Sequence, residues 1–241
     1  MKVEYIEHLG SDLLVVNAAR VSFDKESSYE PEALCPTDEQ GGKIPPYNRL
    51  KEQDRKLLNY LAKHNHWTPF SHPQICMRET VPIFVARQRF KHMVGFTYNE
   101  VSRRYVDDEP EFYTPDVWRS RPEGSVKQGS GSDVVEFMTV DSNGGKTTPQ
   151  KRVNGINKMA LHCYNDLLTS GVAPEQARMV LPQSMYTSYY VTGSLAAWAR
   201  AYKQRIESTA QIEIQELAKQ WDKVIAPLFP ESWAVLTAKQ L

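Results

Sequence analysis

The densest set of potential ligand-binding side chains lies in one run, residues 87–105. Cations crowd both ends of the run, and an uncharged stretch that contains a glycine separates them. Guanidinium groups bind phosphate through paired hydrogen bonds, and hydroxyl and backbone N–H groups complete such sites. The composition therefore favours a site for an anionic, hydrogen-bonding ligand such as a nucleotide phosphate. The side chains concerned are Arg87, Gln88, Arg89, Lys91, His92, Asn99, Glu100, Ser102, Arg103 and Arg104.

A solvated helix face followed by a loop is the alternative interpretation of this run, because charged runs are usually solvated. Two features favour a specific site. The apolar residues 81–86 precede the run, so it emerges from a buried element. Glu100 stands just before the second basic cluster, where it would oppose binding by charge alone. A carboxylate there indicates that more than charge is recognised.

The composition of the 241-residue chain is ordinary for a globular protein, with 41% hydrophobic and 24% charged residues. Lys+Arg and Asp+Glu each total 29, so the net charge is zero, whereas proteins that bind bulk nucleic acid are usually basic. Three cysteines without a CxxC pair argue against a disulfide framework. No stretch is apolar enough to span a membrane, and we expect a cytoplasmic protein.

The elements that must position these side chains show no regular strand–helix alternation. This pattern favours an α+β fold, with a mixed or antiparallel sheet and long helices, over a doubly wound sheet. We expect a single domain over 1–241, with a long loop at 25–50 and a flexible insertion at 120–150. Strands are predicted over 2–7, 74–80, 134–140 and 184–192. Helices are predicted over 12–20, 52–65, 82–92, 151–170, 174–180, 194–205 and from 208 or 209 to 225.

Several local signals fix the ends of these elements. Ser194 is expected to cap the helix that follows it. Gly171 is expected to end the helix over 151–170. Val153, Ile156, Ala160, Cys163 and Leu167 step by three and four along that helix, so Cys163 is expected in the core.

Other catalytic chemistries are less well supported. The spacing of His64, His66 and His72 is not a familiar ligand set, so no metal site is predicted. His66 is instead expected to line a pocket or cap the preceding helix. A nucleophilic cysteine is disfavoured, because His162 and Cys163 are adjacent and do not face each other on a helix. No phosphate-binding glycine motif and no GxSxG is present.

Arg178 differs from the other arginines of the C-terminal half in its setting. It directly precedes the apolar sequence Met-Val-Leu-Pro. A charge in that setting is expected to be partly buried and to need an anion.

Taken together in order, these residues resemble the flavin-dependent thymidylate synthases (thymidylate synthase X). The resemblance covers most of the chain. The family signature is Arg-His-Arg followed, after seven or eight residues, by Ser. This chain instead has Lys91-His92-Met93 followed, after eight residues, by Ser102. Ser194 and Arg200 stand where the family usually has Asn. The matching segments are 18–23, 64–70, 82–88, 98–105, 111–113, 177–182, 191–193 and 205–215.

The resemblance implies reductive methylation of dUMP to dTMP. Methylenetetrahydrofolate would supply the carbon, FAD would carry hydride, and NADPH would reduce the flavin. Arg205 would lie against the uracil and stabilise negative charge developing on the ring, and His66 would lie close to the flavin ring. Residues implied to bind dUMP are Gln88, Glu100, Ser102, Arg103, Arg104, Arg178 and Arg205. Those implied to contact FAD are Thr68, Lys91, His92, Met93, Glu100, Ser194 and Arg200.

The family further implies a homotetramer with sites shared between subunits. From the neutral net charge and the lack of a long apolar stretch, we expect no stable nucleic acid and no membrane as partners. Two alternatives stay open. One is a non-catalytic module that binds single-stranded nucleic acid, with Phe90 and Tyr98 as stacking groups. The other keeps the fold and the flavin but acts on another pyrimidine nucleotide, because Lys91, Met93 and Ser194 depart from the family pattern.

Overall fold

The computed structural model describes residues 1–30, 48–106, 108–123, 129–139 and 144–238. Most of the predicted loop at 25–50 lies outside these residues. The described part has an antiparallel four-stranded sheet, with the strands in the order first, second, sixth and third along the chain, and a two-stranded ribbon of the fourth and fifth strands. The predicted α+β class is therefore confirmed. The strands are β1 (Lys2–Leu9), β2 (Gln74–Pro82), β3 (Phe96–Glu100), β4 (Met138–Thr139), β5 (Lys146–Thr147) and β6 (Tyr186–Ser194).

Most of the predicted helices are present within a few residues of their expected bounds. Ser194 caps α6 as expected, with its Oγ accepting a 3.2 Å hydrogen bond from the backbone N–H of Ala197. Gly171 follows the end of α4 with a φ of 84°, as a helix-ending glycine does. The helices are α1 (Asp12–Arg20), α2 (Glu52–Lys63), α3 (Ile83–Arg89), α4 (Pro149–Thr169), α5 (Pro174–Ala177), α6 (Leu195–Arg205), α7 (Ile212–Leu228) and α8 (Pro230–Thr237).

Strands β2 and β6 form the centre of the sheet and alternate between buried and less buried residues. The pleat sends alternate side chains to opposite faces, so one face of each strand enters the core. Ile75, Met77 and Val81 lie on this face of β2, and Tyr189 and Val191 lie on it in β6. Helices α6 and α7 cover this face.

The chain leaves β2 and β6 in opposite directions, because the two strands are antiparallel. Pro82 pairs with Tyr186, and Gln74 pairs with Ser194. Helix α3 begins directly after β2, and α6 begins directly after β6. Although these helices start at opposite ends of the sheet, their last residues meet, and that meeting point positions the candidate site.

Helix α4 corrects one sequence prediction. Its buried residues include Asn157 and Tyr164, whereas Cys163 is exposed and Ile156 is 51% exposed. The inner face is thus rotated away from the predicted apolar stripe. Asn157 Oδ1 accepts a 3.1 Å hydrogen bond from the Ser184 hydroxyl, and this bond satisfies a polar group on the buried face.

The C-terminal helices also differ from the prediction. Helix α7 begins at Ile212 rather than at residue 208 or 209, and it continues through Pro227 to Leu228. Proline lies in the last turn, where it removes only one intrahelical hydrogen bond. Helix α8 follows at Pro230 and was not predicted.

The predicted strand over 134–140 is largely wrong. Within the described residues 134–139, only Met138–Thr139 is a strand, and Val134 forms an isolated bridge with Arg119. Strand β3 was missed, because its residues lie inside the basic run. No helix among the described residues has both the length and the apolar character needed to cross a membrane.

Candidate active site

The C-terminal ends of α3 and α6 meet at a polar cluster formed by Gln88, His92 and Arg205. The Arg205 Nε–H donates a 2.8 Å hydrogen bond to His92 Nε2, and its Nη2 lies 3.5 Å from the carbonyl oxygen of Gln88. Cations are favourable at helix C-termini, where carbonyl groups lack partners. This explains why an arginine can end α6 at this point. The cluster brings together three of the predicted site residues.

Burial and nearby cations determine the protonation states of the side chains in this cluster. Burial, followed by the charges of Arg205, Arg89 and Arg200, lowers the pKa of His92 from 6.5 to about 4. The imidazole is therefore neutral near pH 7 and accepts from Arg205. Burial and the charge of Arg89 also lower the pKa of the Arg205 guanidinium. The cluster is a positively charged site, and no carboxylate among the described residues bonds to Arg205.

A chain of side chains joins Gln88 to the segment around Arg119. Gln88 Nε2 donates to Gln211 Oε1 at 2.5 Å, and Gln211 Nε2 donates to Glu213 Oε2 at 2.8 Å. The Arg119 guanidinium donates to the other oxygen of Glu213. Burial tends to raise the pKa of Glu213, but hydrogen bonds from Arg119 and Gln211 outweigh it and leave that pKa lowered. This chain fixes the amide of Gln88.

The predicted residues after α3 occupy β3 and the loop that follows it. Glu100 is exposed, and its Oε1 accepts a 2.6 Å hydrogen bond from the Thr187 hydroxyl. Arg103 donates to the carbonyl oxygen of Asp108, and Arg104 Nη2 donates to the Tyr105 hydroxyl at 3.0 Å. Ser102 Oγ lies 3.4 Å from the backbone N–H of Arg104. Arg104 is exposed and available to a ligand, whereas Arg103 is ion-paired with the Asp108 carboxylate at 3.3 Å and its side chain is 12% exposed.

Arg178 corrects another prediction, since it is exposed rather than partly buried. Its Nε lies 3.3 Å from the carbonyl oxygen of Glu175, one turn earlier, and Met179 beside it is 81% exposed. The segment after Arg178 is a single 3-10 turn that does not enter the core. The described contacts do not bring Arg178 to Arg205.

A cavity of about 650 Å³ lies beside the start of α6. Ser194, Arg200 and Lys203 line it together with Trp67. The Arg200 guanidinium also donates a hydrogen bond to the carbonyl oxygen of Val94, and this bond holds the guanidinium at the edge of the cavity. A volume of this size matches cofactor sites, and cations beside an aromatic ring suit a ligand with phosphate and ring systems. Trp67 and Lys203 were not singled out from the sequence, since neither belongs to a charged cluster.

The predicted residues His66 and Thr68 lie close to this cavity. Both are exposed, and His66 lines an adjoining cavity of about 590 Å³ that shares Trp67 and Lys203 with the first. The expectation that His66 lines a pocket is therefore confirmed. Across the described residues, no group of three or more His, Cys, Asp and Glu side chains is placed to hold a metal ion.

Met93 and Glu100 line a smaller cavity of about 380 Å³ with Phe90, Phe96 and Tyr98. Met93 is 74% exposed, and Lys91 is exposed beside it. The two residues that replace the arginines of the signature therefore face outward. His92, between them, points inward to Arg205.

Among the residues that the structure describes, which do not include Cys35, the geometry supports binding and polarisation rather than covalent catalysis. Arg205 presents a fixed guanidinium that can stabilise negative charge developing on a bound ring. Cys76 is half-buried on β2 and Cys163 is exposed on α4, and neither has a described contact with the cluster. The arrangement suits an anionic ring substrate beside a large cofactor.

Comparison with known proteins agrees with this arrangement. The family model for thymidylate synthase complementing protein matches residues 4–231. The flavin-dependent thymidylate synthase of Thermosipho africanus is 34% identical over 213 residues, which cover 88% of this chain and 80% of that protein. The corresponding enzyme of Streptomyces coelicolor is 30% identical over 249 residues, covering 98% and 90%.

Solved structures show the same likeness. A UMP/dUMP methylase, PolB from Streptomyces cacaoi, bound with 5-Br dUMP, is 28% identical with a TM-score of 0.72. The alignment covers 98% of this chain and 94% of that one. The same enzyme bound with 5-Br UMP gives 26% identity and a TM-score of 0.73.

Proposed function

Because the chain belongs to the thymidylate synthase complementing protein family, which the flavin-dependent thymidylate synthases represent, we propose that it methylates dUMP to dTMP reductively. The observation that carries this proposal is the contact between Arg205, His92 and the Gln88 carbonyl. It fixes a guanidinium at the meeting point of two helix ends. Such a group lowers the energy of a pyrimidine ring that becomes negatively charged during attack through C5.

In this proposal the chain holds dUMP by its two ends. Arg205 lies against the uracil, and the amide of Gln88, fixed by Gln211, helps to orient the nucleotide. Glu100, Ser102, Arg103, Arg104 and Arg178 supply hydrogen bonds and positive charge to the sugar and the phosphate.

The residues around the 650 Å³ cavity fit FAD. Arg200 and Lys203 provide positive charge for a pyrophosphate, Trp67 offers an aromatic surface, and Ser194 offers a hydroxyl at the start of α6. Met93 adds an apolar surface, and Lys91 retains a single charge. The remaining contacts proposed are those of Thr68, His66, His92 and Glu100. When bound, the flavin would supply the hydride, with NADPH as its reductant and methylenetetrahydrofolate as the carbon donor.

We propose further that the sites are completed in a homotetramer. Arg178 lies apart from the Arg205 cluster in the described contacts, yet the resemblance assigns both to one nucleotide. The apolar side chains of Met179, Met159 and Ile156 are 81%, 75% and 51% exposed. Exposed apolar surface of this kind is typical of an interface between proteins. Mixing R205A with R178A, assayed at a dUMP concentration at which each variant alone is nearly inactive, should restore activity if a site takes one residue from each subunit. Mixtures that stay inactive despite exchange of subunits would contradict shared sites.

UMP is a second candidate substrate. The likeness to PolB, described as a UMP/dUMP methylase, favours it specifically. Measuring kcat/KM for dUMP, UMP, dCMP and CMP with all co-substrates present would decide between them. A preference for dUMP over UMP supports thymidylate synthesis. Equal turnover of both would identify a methylase that ignores the 2′-hydroxyl, and no turnover of either would contradict the proposal.

A further inference from the structure

Arg89 lies directly behind the Arg205 cluster, and its side chain is completely buried. It stands at the C-terminal end of α3, where the helix meets the core. A buried arginine is unusual, because removing a charge from water is costly unless partners replace the water. Its guanidinium carbon lies 4.4 to 5.2 Å from the ring centres of Phe96, Tyr98, Trp198 and Trp221.

One carboxylate balances this charge. Glu79, at an inward position of β2, accepts from Arg89 Nε at 3.2 Å, and its side chain is equally buried. The Tyr189 hydroxyl donates to the other oxygen of Glu79 at 2.5 Å. Arg89 Nη2 has no hydrogen-bond partner among the described residues. A buried pair with one orphan donor contributes little net stability, since desolvation offsets the attraction.

The remaining bonds of Arg89 lead to the active site. Its Nη1 donates to the Tyr98 hydroxyl, which in turn donates to the carbonyl oxygen of His92 at 2.7 Å. The backbone N–H of His92 also bonds to the Arg89 carbonyl at 3.1 Å. The turn that carries His92 is thus held from behind. His92 Nε2 accepts from Arg205, and this bond requires an imidazole with its only proton on Nδ1.

We propose that Arg89 and Glu79 form a buried positioning pair that holds the His92 turn, so that His92 accepts from Arg205 and Arg205 presents its guanidinium to the substrate. The charge of Arg89 also disfavours protonation of His92, whereas Glu79 holds the Arg89 guanidinium in place. The charged groups that face His92 are Arg205 and Arg200 on α6 and Arg89 on α3. Glu79 on β2 partly balances Arg89, and Tyr98 on β3 supplies the connecting hydroxyl. Neither Arg89 nor Glu79 touches the substrate in this proposal. Only the final step, toward the substrate, rests on the proposed function.

The test is a titration of His92 by NMR in protein labelled with ¹³C-histidine, with the His92 signal identified by its loss in H92Q. In the unaltered protein, His92 should remain neutral to near pH 4. R89M removes the charge, and E79Q/R89M removes the whole pair while keeping an acceptor for Tyr189. We expect the midpoint to rise by about one unit in R89M and by less in E79Q/R89M, which also removes the opposing negative charge of Glu79. R89K keeps the charge and should leave the midpoint closer to that of the unaltered protein.

The matched control is R78M. Arg78 is the neighbour of Glu79 on β2 but is exposed on the other face, where it donates to Ser188. It should leave the His92 titration unchanged. A folded R89M with an unchanged midpoint would overturn the proposal, as would an equal rise in R78M.

Y98F supplies a variant that removes only one hydroxyl and leaves both buried charges in place. With ¹⁵N-arginine labelling, we expect the Arg205 Nε–H signal to broaden or shift, because the His92 turn is released. A signal identical to that of the unaltered protein would overturn the positioning role even if both Arg89 variants failed to fold. Both readouts use the protein without substrate, so they stand or fall independently of dUMP turnover.

Where dUMP is turned over, E79Q/R89M should lower kcat by about tenfold with a smaller change in KM. The acid limb of kcat should move to higher pH. A purely structural role would instead lower the amount of active enzyme without moving the pH profile.

Discussion

The two arginine groups proposed to hold one nucleotide are built in different ways. Arg205 is half-buried and held by His92 and the Gln88 carbonyl, with a second arginine buried behind it. Arg104 and Arg178 are exposed, and their described side-chain hydrogen bonds are to near neighbours in the chain. A fixed group is suited to stabilising charge that develops during the reaction, whereas exposed groups suit charge that is already present on a phosphate.

The substitution Arg205→Ala tests the fixed side of this comparison and should have the largest effect. We expect kcat to fall by about 10²–10³-fold or more, because the variant removes the fixed donor at the ring. Binding of dUMP should weaken while the fold stays intact, as measured by calorimetry and by near-UV circular dichroism. Arg205→Lys keeps the charge without the planar fork and should recover only part of the rate. Normal turnover in Arg205→Ala would remove the assigned role.

Arg104→Ala tests the exposed side of the comparison. The KM for dUMP should rise by about 10–100-fold with little change in kcat, because charge-assisted bonds to phosphate contribute equally before and during the reaction. The effect should shrink as salt is added. The control is Lys56→Ala, since Lys56 is an exposed cation paired with Glu52 on α2. If kcat rather than KM fell, the distinction between the two arginine groups would be lost.

The low pKa of His92 predicts a dependence of stability on pH. Burial and the nearby arginines lower that pKa from 6.5 to about 4, so the unfolded chain binds more protons between these values. Stability from His92 is therefore complete above pH 6.5 and is lost as the pH falls toward 4, by at most about 3 kcal/mol. Urea unfolding at pH 7.5 and 5 should show a smaller difference in H92Q. An equal difference would show that His92 does not titrate in this way.

The smallest effect is expected from Glu213→Gln. The variant loses the charge that holds Arg119, so the Gln211 amide and with it Gln88 should become less ordered. We expect KM for dUMP to rise about threefold to tenfold with nearly unchanged kcat. Glu216→Gln, an exposed change one turn along α7, is the matched control. Identical kinetics in the two variants would exclude a role for this chain of side chains.

Local signals in the sequence predicted much of the scaffold. The cap at Ser194 and the glycine after α4 act on their own helices, so they do not depend on distant contacts. The inner face of α4 was predicted wrongly because tertiary contacts at Asn157 and Tyr164 rotate the helix. The same limit applied to α7, where packing keeps the last turn helical through Pro227.

The candidate site was predictable in its residue types but not in its arrangement. Gln88, His92 and Arg205 were singled out from the sequence, yet their meeting depends on two helices that begin at opposite ends of the sheet. Arg89 looked like one more member of a basic run. Arg89 can be buried because it pairs with Glu79. The signal for this in the sequence was Glu79 itself, a charged residue among the inward-facing residues of β2. The sequence alone could not pair the two, because the way in which α3 packs back against the sheet decides what lies beside Glu79.

Release of tritium from C5-labelled dUMP is the most direct test of whether this chain methylates dUMP through reduced flavin. The assay would contain FAD, NADPH and methylenetetrahydrofolate, with each omitted in turn. We predict release that matches dTMP formation and stops when the flavin or the folate is left out. Absence of release from protein that binds both dUMP and flavin would contradict the claim.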